Sequence, residues 1–445
     1  MTATLDDAPF TTVERALERM ETAVSPLVGI VTQTISTTHT TDEASLPNCA
    51  GELASARRTL GVDTVAFGSG AHPRPARARA AAIGEALERY SALFVPRERL
   101  RLTSARTLGD AAVRPSRFAL FHPTQLAEPS FPFVAFTEDV RTTFVAATAL
   151  ADGAAAYLPA ELCYLAQPGT ALRPIAYSTS SGLACAATFT EAVLAALFEL
   201  VERDAVMLAW KCGLSLPLLD WAGDEVLETH DRRYFGSTGL PFSVLDGSGF
   251  LDVPVAIAIV HGPHDSRASL AVGAGAASTI GEAWLKALSE AFGVYRWLRQ
   301  QTIGRADAGR SSEEEIETFD EHMLFYARPE RAALAAFLDA SRERRPTAAI
   351  APVAGETPRE QIEALVARLA RHGVSAYAAD VTSPDVASLG VSVARVVAPE
   401  LCALDVSHRA RFLGGRRLYL AAYEAGLVPA PLELPDLNPL PHPFP

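Results

Sequence analysis

The chain has 445 residues, with 39 Lys and Arg against 52 Asp and Glu, so its formal net charge is −13. This acidic balance argues against nucleic-acid binding, because phosphate backbones bind basic surfaces, and against attraction to an anionic membrane. Apolar residues make up 49% of the chain and charged residues 20%, which is typical of a globular protein with a large core.

The cysteines and the N-terminus indicate the compartment. The five cysteines are scattered and never form a C-x-x-C pair, which argues against a disulfide framework and against a zinc ribbon. The N-terminus is acidic and lacks the apolar stretch of a secretory signal. No uninterrupted apolar run reaches the roughly 18 residues of a membrane span. The sequence therefore predicts a cytoplasmic protein.

Hydrophobic periodicity predicts the elements of the N-terminal part of the chain. They are, in order, a helix near residues 12–23, a strand in VGIVTQTIST, a polar loop over residues 39–60, a strand DTVAF and a long helix near residues 74–94. Residues 100–175 predict short strands with proline-rich connections.

The rest of the chain continues the alternation of helices and strands. The predicted elements are a helix near residues 190–211, the strands FSVLD, VPVAIAIVHG and SLAVGAGA, a helix near residues 279–301, a charged and mostly helical stretch over residues 303–375, and the strands VSAYAADV and VSVARVVAP. No clear linker divides the chain, so the sequence predicts one α/β domain of mixed α+β character.

Paired carboxylates recur on the three strongest predicted helices. The pattern E-x-x-E-R occurs at residues 85–89 and 199–203, and each copy places two glutamates on one helix face. Glu191 shares the strip on the second helix. The third helix carries Glu282, Lys286, Ser289 and Glu290 on one face. Clustered carboxylates need an offsetting charge, and Mg²⁺ prefers oxygen ligands and phosphates. This pattern predicts an inward-facing metal–phosphate cluster, with a solvated, salt-bridged helix face as the alternative.

The familiar nucleotide motifs are missing. Gly68-Ser-Gly70 and Gly273-Ala-Gly275 each lack the third glycine of the dinucleotide fingerprint, and the chain has no P-loop motif. The second pair is better explained as part of a buried strand. Neither a G-x-S-x-G motif nor an H-E-x-x-H motif occurs. Any ATP site in this chain therefore uses neither a P-loop nor a Rossmann turn.

Three segments together resemble the YcaO family: ARARAAAIGEALERYSALF, SSGLACAATFTEAVLAALFELVERDAV and GEAWLKALSEAF. The resemblance covers roughly residues 60–430. It implies a YcaO-type ATP-binding fold with ATP and Mg²⁺ as cofactors. It also implies a division into residues 1–60 as an N-terminal segment of the same unit, residues 61–428 as the catalytic domain and residues 429–445 as a proline-rich tail.

The resemblance implies roles for individual residues. The metal-binding residues would be Glu85, Glu88, Glu199, Glu202 and Glu290. The cofactor-binding residues would be Arg203, Lys286, Glu191, Ser181 and Arg89. Two positions depart from the family pattern, because Ala81 is often Ser and Ser181 is often Asn in the family. Both changes remove or shorten a polar contact to the nucleotide.

The chain ends in NPLPHPFP, with alternate prolines at Pro441, Pro443 and Pro445. Alternate prolines impose an extended segment with few hydrogen-bond donors. A disordered tail and a ligand of an SH3-like domain are the alternatives. Within the YcaO family this ending resembles the azoline-forming cyclodehydratases, which implies that these three prolines belong to the catalytic site. The carboxylate of Pro445 would accept a proton or position a reacting group.

The implied activity is an ATP-dependent cyclodehydratase of natural-product biosynthesis. It would convert Cys, Ser or Thr of a ribosomal precursor peptide to thiazoline or oxazoline, after phosphorylation of the backbone amide oxygen. A separate ThiF-like partner would bind the leader peptide, a flavin dehydrogenase could oxidise the product, and a homodimer suits a chain of this size. The alternatives are backbone thioamidation or amidine formation, which the tail disfavours, and a non-catalytic YcaO-like scaffold, which Ala81 and Ser181 favour.

Overall fold

The computed structural model describes residues 4–40, 43–57, 60–61, 67–166, 172–263, 267–303 and 312–445. The described residues form twelve α-helices: α1 Val13–Glu21, α2 Pro75–Leu93, α3 Ala105–Leu108, α4 Pro123–Leu126, α5 Phe189–Lys211, α6 Glu225–His230, α7 Ile280–Thr302, α8 Phe319–Phe325, α9 Pro329–Ala332, α10 Pro358–Arg371, α11 Pro384–Ser388 and α12 Arg417–Glu424.

The strands of the described residues number fourteen. They are β1 Val31–Thr37, β2 Asn48–Leu53, β3 Phe67–Ala71, β4 Arg101–Ser104, β5 Arg141–Ala149, β6 Ala155–Pro159, β7 Leu183–Ala186, β8 Leu218–Asp220, β9 Phe242–Asp246, β10 Val255–His261, β11 Leu270–Ala276, β12 Arg344–Pro346, β13 Tyr377–Asp380 and β14 Ser392–Val397. The mixed α/β class expected from the sequence is confirmed.

The chain divides into two compact units. The first comprises Met1–Thr38, Pro47–Leu200 and Ala354–Leu401, and the second comprises His39–Leu46, Val201–Val353 and Cys402–Pro445. Residues 189–200 of α5 belong to the first unit, and residues 201–211 belong to the second. The domain boundaries expected near residues 60 and 428 stay predictions.

The first unit contains two sheets. One is the antiparallel sheet β1-β2-β3, and the other has the order β4-β5-β13-β14-β7, with β6 paired to β5. Helix α2 packs on β2 and β3. Its side chains Ile83 and Leu87 are fully buried in a core that includes Leu158 and Val393. The helix therefore presents its polar face, with the E-x-x-E-R motif, away from this apolar core.

The second unit is built on a five-stranded sheet with the order β11-β10-β9-β8-β12. All neighbours are antiparallel except β12, which pairs in parallel with β8. Helix α7 is capped by the side chain of Thr279 and packs on β10 and β11, where Trp284 and Leu288 are fully buried. Because β11 is an edge strand, one row of its backbone amides faces away from the sheet.

Both glycine pairs allow a helix to lie close to a strand. A Cβ atom added to Gly68 of β3 would lie 2.6 Å from the backbone nitrogen of Ala86 in α2. A Cβ atom added to Gly273 of β11 would lie 2.6 Å from the carbonyl oxygen of Ala287 in α7. Such distances are too short for a side chain, so only glycine permits this packing. The prediction that Gly273-Ala-Gly275 lies in a buried strand is confirmed.

Two predictions from local patterns are wrong. The polar region 39–60 contains strand β2, because pairing with β1 and β3 stabilises NCAGEL despite its weak strand propensity. The stretch 303–375 is only partly helical among its described residues, and helices α9 and α10 begin at prolines that interrupt a continuous helix. The predicted strand DTVAF falls on residues 63–67, of which all but Phe67 lie outside the described residues.

Candidate functional site

Glu85, Glu88 and Glu199 form a group in the first unit, which we call the first carboxylate group. Burial and the charges of Glu199 and Glu85 raise the pKa of Glu88 well above its usual value, and Arg89 and Arg395 oppose this shift. Glu88 is therefore close enough to Glu85 and Glu199 for their charges to repel its own. Such a group favours either a proton or a cation.

Both carboxylate oxygens of Glu85 are engaged within the first unit. Its Oε2 accepts hydrogen bonds from the backbone nitrogen of Ser69 and from the Ser69 hydroxyl, the latter at 2.9 Å. Its Oε1 lies 2.6 Å from Nη2 of Arg89, and Nη1 of Arg89 donates to the carbonyl oxygen of Phe67 at 2.6 Å. Arg89, which was expected to bind the cofactor, thus contacts Glu85 and strand β3.

Arg395 of β14 lies beside the first carboxylate group, and sequence reasoning missed it. Burial lowers the pKa of its guanidinium, whereas the charges of Glu199 and Glu88 raise that pKa. Its Nη1 donates to the carbonyl oxygen of Thr179 at 2.7 Å, and its Nε is buried without a hydrogen-bond partner among the described residues. A single arginine inside the apolar run SVARVV is the signal that could have revealed it.

The loop before β7 brings a backbone amide to Glu199. The amide of Gly182 donates to Glu199 Oε2 at 3.3 Å, and Gly182 has a positive φ of 83°. Ser181, expected to contact the nucleotide, immediately precedes this amide and is buried. The structure therefore brings Ser181 to the vicinity of the first carboxylate group.

Glu191 has the contacts of a helix cap. Its Oε2 accepts from the backbone nitrogen of Thr188 at 3.1 Å, and its Oε1 accepts from the backbone nitrogen of Thr11 at 2.5 Å. The hydroxyl of Thr188 accepts in return from the backbone nitrogen of Glu191. This reciprocal pattern is a capping box at the start of α5.

Glu202, Arg203, Lys286 and Glu290 form a group in the second unit, which we call the second carboxylate group. Oε2 of the fully buried Glu202 accepts from Nζ of Lys286 at 2.8 Å and from the backbone nitrogen of Ala276 at 3.0 Å. Burial acts to raise the pKa of Glu202, but Lys286 and Arg203 outweigh it, so the pKa is lowered. Glu202 is therefore ionised at neutral pH.

Glu290 behaves differently from Glu202. Burial, with a further contribution from the charge of Glu202, raises the pKa of Glu290 to about 7, although Arg203 and Lys286 oppose the shift. Its Oε2 accepts from the backbone nitrogen of Ala274 at 2.6 Å. Glu202 and Glu290 thus bind alternate amides of the edge strand β11, and Oε1 of Glu202 lies 3.8 Å from Nη1 of Arg203.

The C-terminal tail ends at the second carboxylate group. The oxygen of Pro445 accepts a hydrogen bond from Nη1 of Arg203 at 3.2 Å. The preceding Phe444 is fully buried, and Pro441 and Pro443 are also buried. The tail is therefore part of the packed second unit.

The donor atoms suit Mg²⁺ that is shared with phosphates. The described residues contain no group of three or more His, Cys, Asp or Glu side chains that could hold a metal by themselves. Mg²⁺ in nucleotide sites usually keeps water ligands and takes only one or two carboxylates, with phosphates completing its shell. Glu88 and Glu290, whose raised pKa values report an unfavourable negative charge, fit that requirement.

The family model described as YcaO cyclodehydratase, ATP- and Mg²⁺-binding, matches residues 67–402. The chain belongs to the YcaO family. Among curated protein sequences, none matches the chain. Membership accounts for an ATP- and Mg²⁺-binding fold without a P-loop. Within the described parts of the chain, no helix is long and apolar enough to cross a membrane.

Solved structures share the YcaO fold with this chain at low sequence identity. A heterocyclase in complex with substrate and cofactor aligns with a TM-score of 0.81 and 22% identity over 100% of this chain. YcaO from Methanopyrus kandleri, bound with AMPPCP and Mg²⁺, aligns with a TM-score of 0.61 and 18% identity over 90% of this chain and 93% of its own. The E. coli microcin synthetase McbBCD complex with pro-MccB17 bound aligns with a TM-score of 0.59 and 15% identity over 85% of this chain and 90% of its own. This chain spans 59% of the heterocyclase chain.

Proposed function

We propose that the chain is an ATP-dependent cyclodehydratase that converts Cys, Ser or Thr residues of a ribosomal precursor peptide to thiazolines or oxazolines. The observation that carries this proposal is the hydrogen bond from Arg203, next to the buried Glu202, to the oxygen of Pro445. It joins the proline tail to the charged group that suits a nucleotide. Membership of the YcaO family supports the same conclusion.

The chemistry needs positioning and charge neutralisation more than it needs a protein nucleophile. Bound Mg·ATP supplies the phosphoryl group that turns the amide oxygen, after attack by the neighbouring side chain, into a phosphate leaving group. The peptide then loses one water for each ring, and ATP yields ADP and phosphate. This accounts for a site made of carboxylates and cations rather than of a Ser or Cys with a histidine base.

The two carboxylate groups have different tasks in this proposal. Glu88 and Glu199 bind Mg²⁺, because their mutual repulsion is relieved by a cation. In the second unit, Glu202 and Glu290 are the candidate metal ligands, and Lys286 and Arg203 bind phosphate oxygens.

Lys286 binds phosphate as a point charge, whereas Arg203 presents a planar fork of donors. The remaining site residues act through their neighbours. Glu85 and Arg89 position one another on β3, and Glu191 orients the start of α5. Ser181 adjoins the Gly182 amide that donates to Glu199, and we expect Ser181 to contact the bound nucleotide.

A partner protein completes the proposed system. We propose that a ThiF-like protein binds the leader of the precursor peptide and presents its core to this chain. The E. coli relative is a complex that was solved with pro-MccB17 bound. Omitting the partner in a reconstituted reaction should abolish modification of full-length precursor, and unchanged modification would contradict this part of the proposal.

The function is tested with purified chain, precursor peptide, partner and Mg·ATP. We expect the peptide to lose the mass of one water per ring while phosphate is released in step. Glu88→Gln and Glu199→Gln should each lower turnover at least roughly a hundredfold, because the metal loses a charged ligand. Glu282→Gln is the matched control, since this exposed glutamate of α7 lies outside both carboxylate groups and accepts a hydrogen bond from Ser278 at 3.0 Å.

The outcomes separate the alternatives. Full turnover by Glu199→Gln would contradict the metal-binding role of the first carboxylate group. A mass gain that corresponds to sulfur replacing oxygen would identify backbone thioamidation instead. Nucleotide binding without phosphate release, with cognate peptide and partner present, would identify a non-catalytic scaffold.

A further inference from the structure

The C-terminal tail meets the second unit through its backbone carbonyls. Proline has no N–H group, so the alternate prolines leave the tail rich in acceptors and poor in donors. Five successive carbonyls, from Asn438 to His442, each accept a hydrogen bond from a side chain of the second unit. Side chains of the second unit thus contact the backbone of the tail over five consecutive residues.

The first three carbonyls are bound by Arg411 and Trp210. Nη2 of Arg411 donates to the carbonyl oxygen of Asn438 at 2.7 Å, and its Nη1 donates to that of Pro439 at 3.3 Å. Nε1 of Trp210, in α5, donates to the carbonyl oxygen of Leu440 at 3.0 Å. The guanidinium of Arg411 and the indole of Trp210 thus fix the position of residues 438–440.

The next two carbonyls are bound from α8 and its C-terminal end. The hydroxyl of Tyr326 donates to the carbonyl oxygen of Pro441 at 2.5 Å, and Nδ1 of His322 lies 3.1 Å from that of His442. The rings of His322 and His442 also stack, with centroids 4.0 Å apart and an interplanar angle of 9°. We call Arg411, Trp210, Tyr326 and His322 the tail clamp.

The tail clamp is rigidly held. All four of its side chains are buried, and the rings of Trp210 and Tyr326 pack edge to face with centroids 5.7 Å apart. Arg411 faces the buried Asp405, which also forms an ion pair with Lys211 at 3.0 Å. Preorganised donors lose little entropy when they bind an extended segment that prolines have already ordered.

We propose that the tail clamp is a binding site that recognises the main-chain carbonyls of a proline-rich segment and thereby positions the end of the tail at Arg203. Its four members are positioning residues for the proposed cyclodehydratase. This role in catalysis rests on the proposed function, whereas the binding of the tail does not. Because the donors contact carbonyls, the clamp is indifferent to the side chain at Leu440, which is partly exposed. It depends instead on the number and placement of the donors.

The test uses the full chain and removes one donor. Tyr326→Phe deletes the hydroxyl that binds Pro441 and keeps the ring. Tyr419→Phe is the matched control, because its hydroxyl donates at 2.7 Å to the carbonyl of Leu413, outside the tail. Hydrogen–deuterium exchange of residues 438–445, followed by mass spectrometry, should be about tenfold faster in Tyr326→Phe and unchanged in Tyr419→Phe. Leu440→Ala should exchange as the wild type does.

Turnover supplies a second measurement. With Tyr326→Phe, kcat for peptide-dependent phosphate release should fall about fivefold while KM for ATP stays unchanged, because the clamp acts on the tail rather than on the nucleotide. A tyrosine variant outside the clamp, such as Tyr419→Phe, should leave kcat unchanged.

Several results would overturn the proposal. Unchanged exchange of the tail in Tyr326→Phe would do so, and so would an equal increase in Tyr419→Phe. A tenfold increase in Leu440→Ala would show that side chains rather than carbonyls are recognised. Exchange requires no turnover, so a protein that forms no azoline but shows the expected exchange would refute the proposed function and leave the clamp intact.

Discussion

Two strand–helix pairs of this molecule, β3–α2 in the first unit and β11–α7 in the second, share one local design. In each pair a strand with two glycines separated by one residue lies under a long helix. In each pair a glutamate sixteen residues later accepts a hydrogen bond from the backbone amide between the glycines. The donor and acceptor are Ser69 and Glu85 in one unit, and Ala274 and Glu290 in the other.

The equivalence extends to the residue that faces the second glycine. A Cβ atom added to Gly70 would lie 2.8 Å from Cβ of Ala81, and one added to Gly275 would lie 2.8 Å from Cβ of Lys286. Ala81 and Lys286 therefore occupy matching positions. The first unit has a methyl group where the second has the ammonium that binds Glu202.

The residue at this position changes the electrostatics of the two groups. The first unit has no cation at the position of Ala81, and burial together with the neighbouring carboxylates Glu199 and Glu85 raises the pKa of Glu88. With Lys286 and Arg203, the second unit keeps Glu202 ionised and presents cations. The carboxylates of both arrangements suit a metal ion, and the two cations that only the second presents also suit a phosphate.

The largest expected effect comes from copying the cation into the first unit. Ala81→Lys should weaken Mn²⁺ binding in the presence of a nonhydrolysable ATP analogue by roughly a hundredfold, because the new ammonium repels the metal and neutralises its ligands. Electron paramagnetic resonance of Mn²⁺ measures this directly. Ala81→Met is the control for chain length, and Mn²⁺ affinity in Ala81→Lys equal to that of the control would break the comparison.

A smaller effect should separate the strand glycines from a helix glycine. Gly273→Ala should lower the free energy of unfolding by about 1–3 kcal/mol, because the methyl group collides with the backbone of α7. Gly293→Ala, also in α7, meets no atom within 4 Å and should raise it by about 0.5–1 kcal/mol through helix propensity. Denaturant titration measures both, and equal values would contradict the shared packing.

The smallest expected effect concerns the charge of Glu290. Folding raises the pKa of Glu290 from the ordinary value of a glutamate, about 4.5, to about 7. Between these pH values the folded state holds a proton that the unfolded state has lost. The free energy of unfolding of the ligand-free protein should therefore fall as pH rises through 7. Glu290→Gln should remove this slope and stabilise the protein at pH 8 by about 1–2 kcal/mol.

Glu202→Gln is the contrasting variant for that experiment. The pKa of Glu202 is lowered, so the charge of this carboxylate stabilises the folded state. In Glu202→Gln, Lys286 loses the buried negative charge with which it forms an ion pair, so this variant should be destabilised. Stabilisation by both variants at pH 8 would contradict the assigned electrostatics.

Local patterns predicted the parts of this fold that local forces control. The three long helices were located to within one or two residues, because their apolar residues repeat with the helical period. Ile83, Leu87 and Trp284 lie at such positions and are buried. The glutamate pairs followed from the same periodicity. The strand β2 escaped prediction, since NCAGEL is held by its two neighbours rather than by its own propensity.

Sequence patterns alone were sufficient to show which helices carry paired acids, that the tail is extended and poor in donors, and that the chain belongs with the YcaO proteins. The tertiary structure was needed to show that Glu88 and Glu290 are the carboxylates that resist ionisation, and that Ala81 and Lys286 occupy matching positions. It was also needed to show that Trp210 and Tyr326 both bind the C-terminal tail. Such properties depend on burial and on contacts between residues far apart in the chain, and neither quantity is encoded in a short window of sequence.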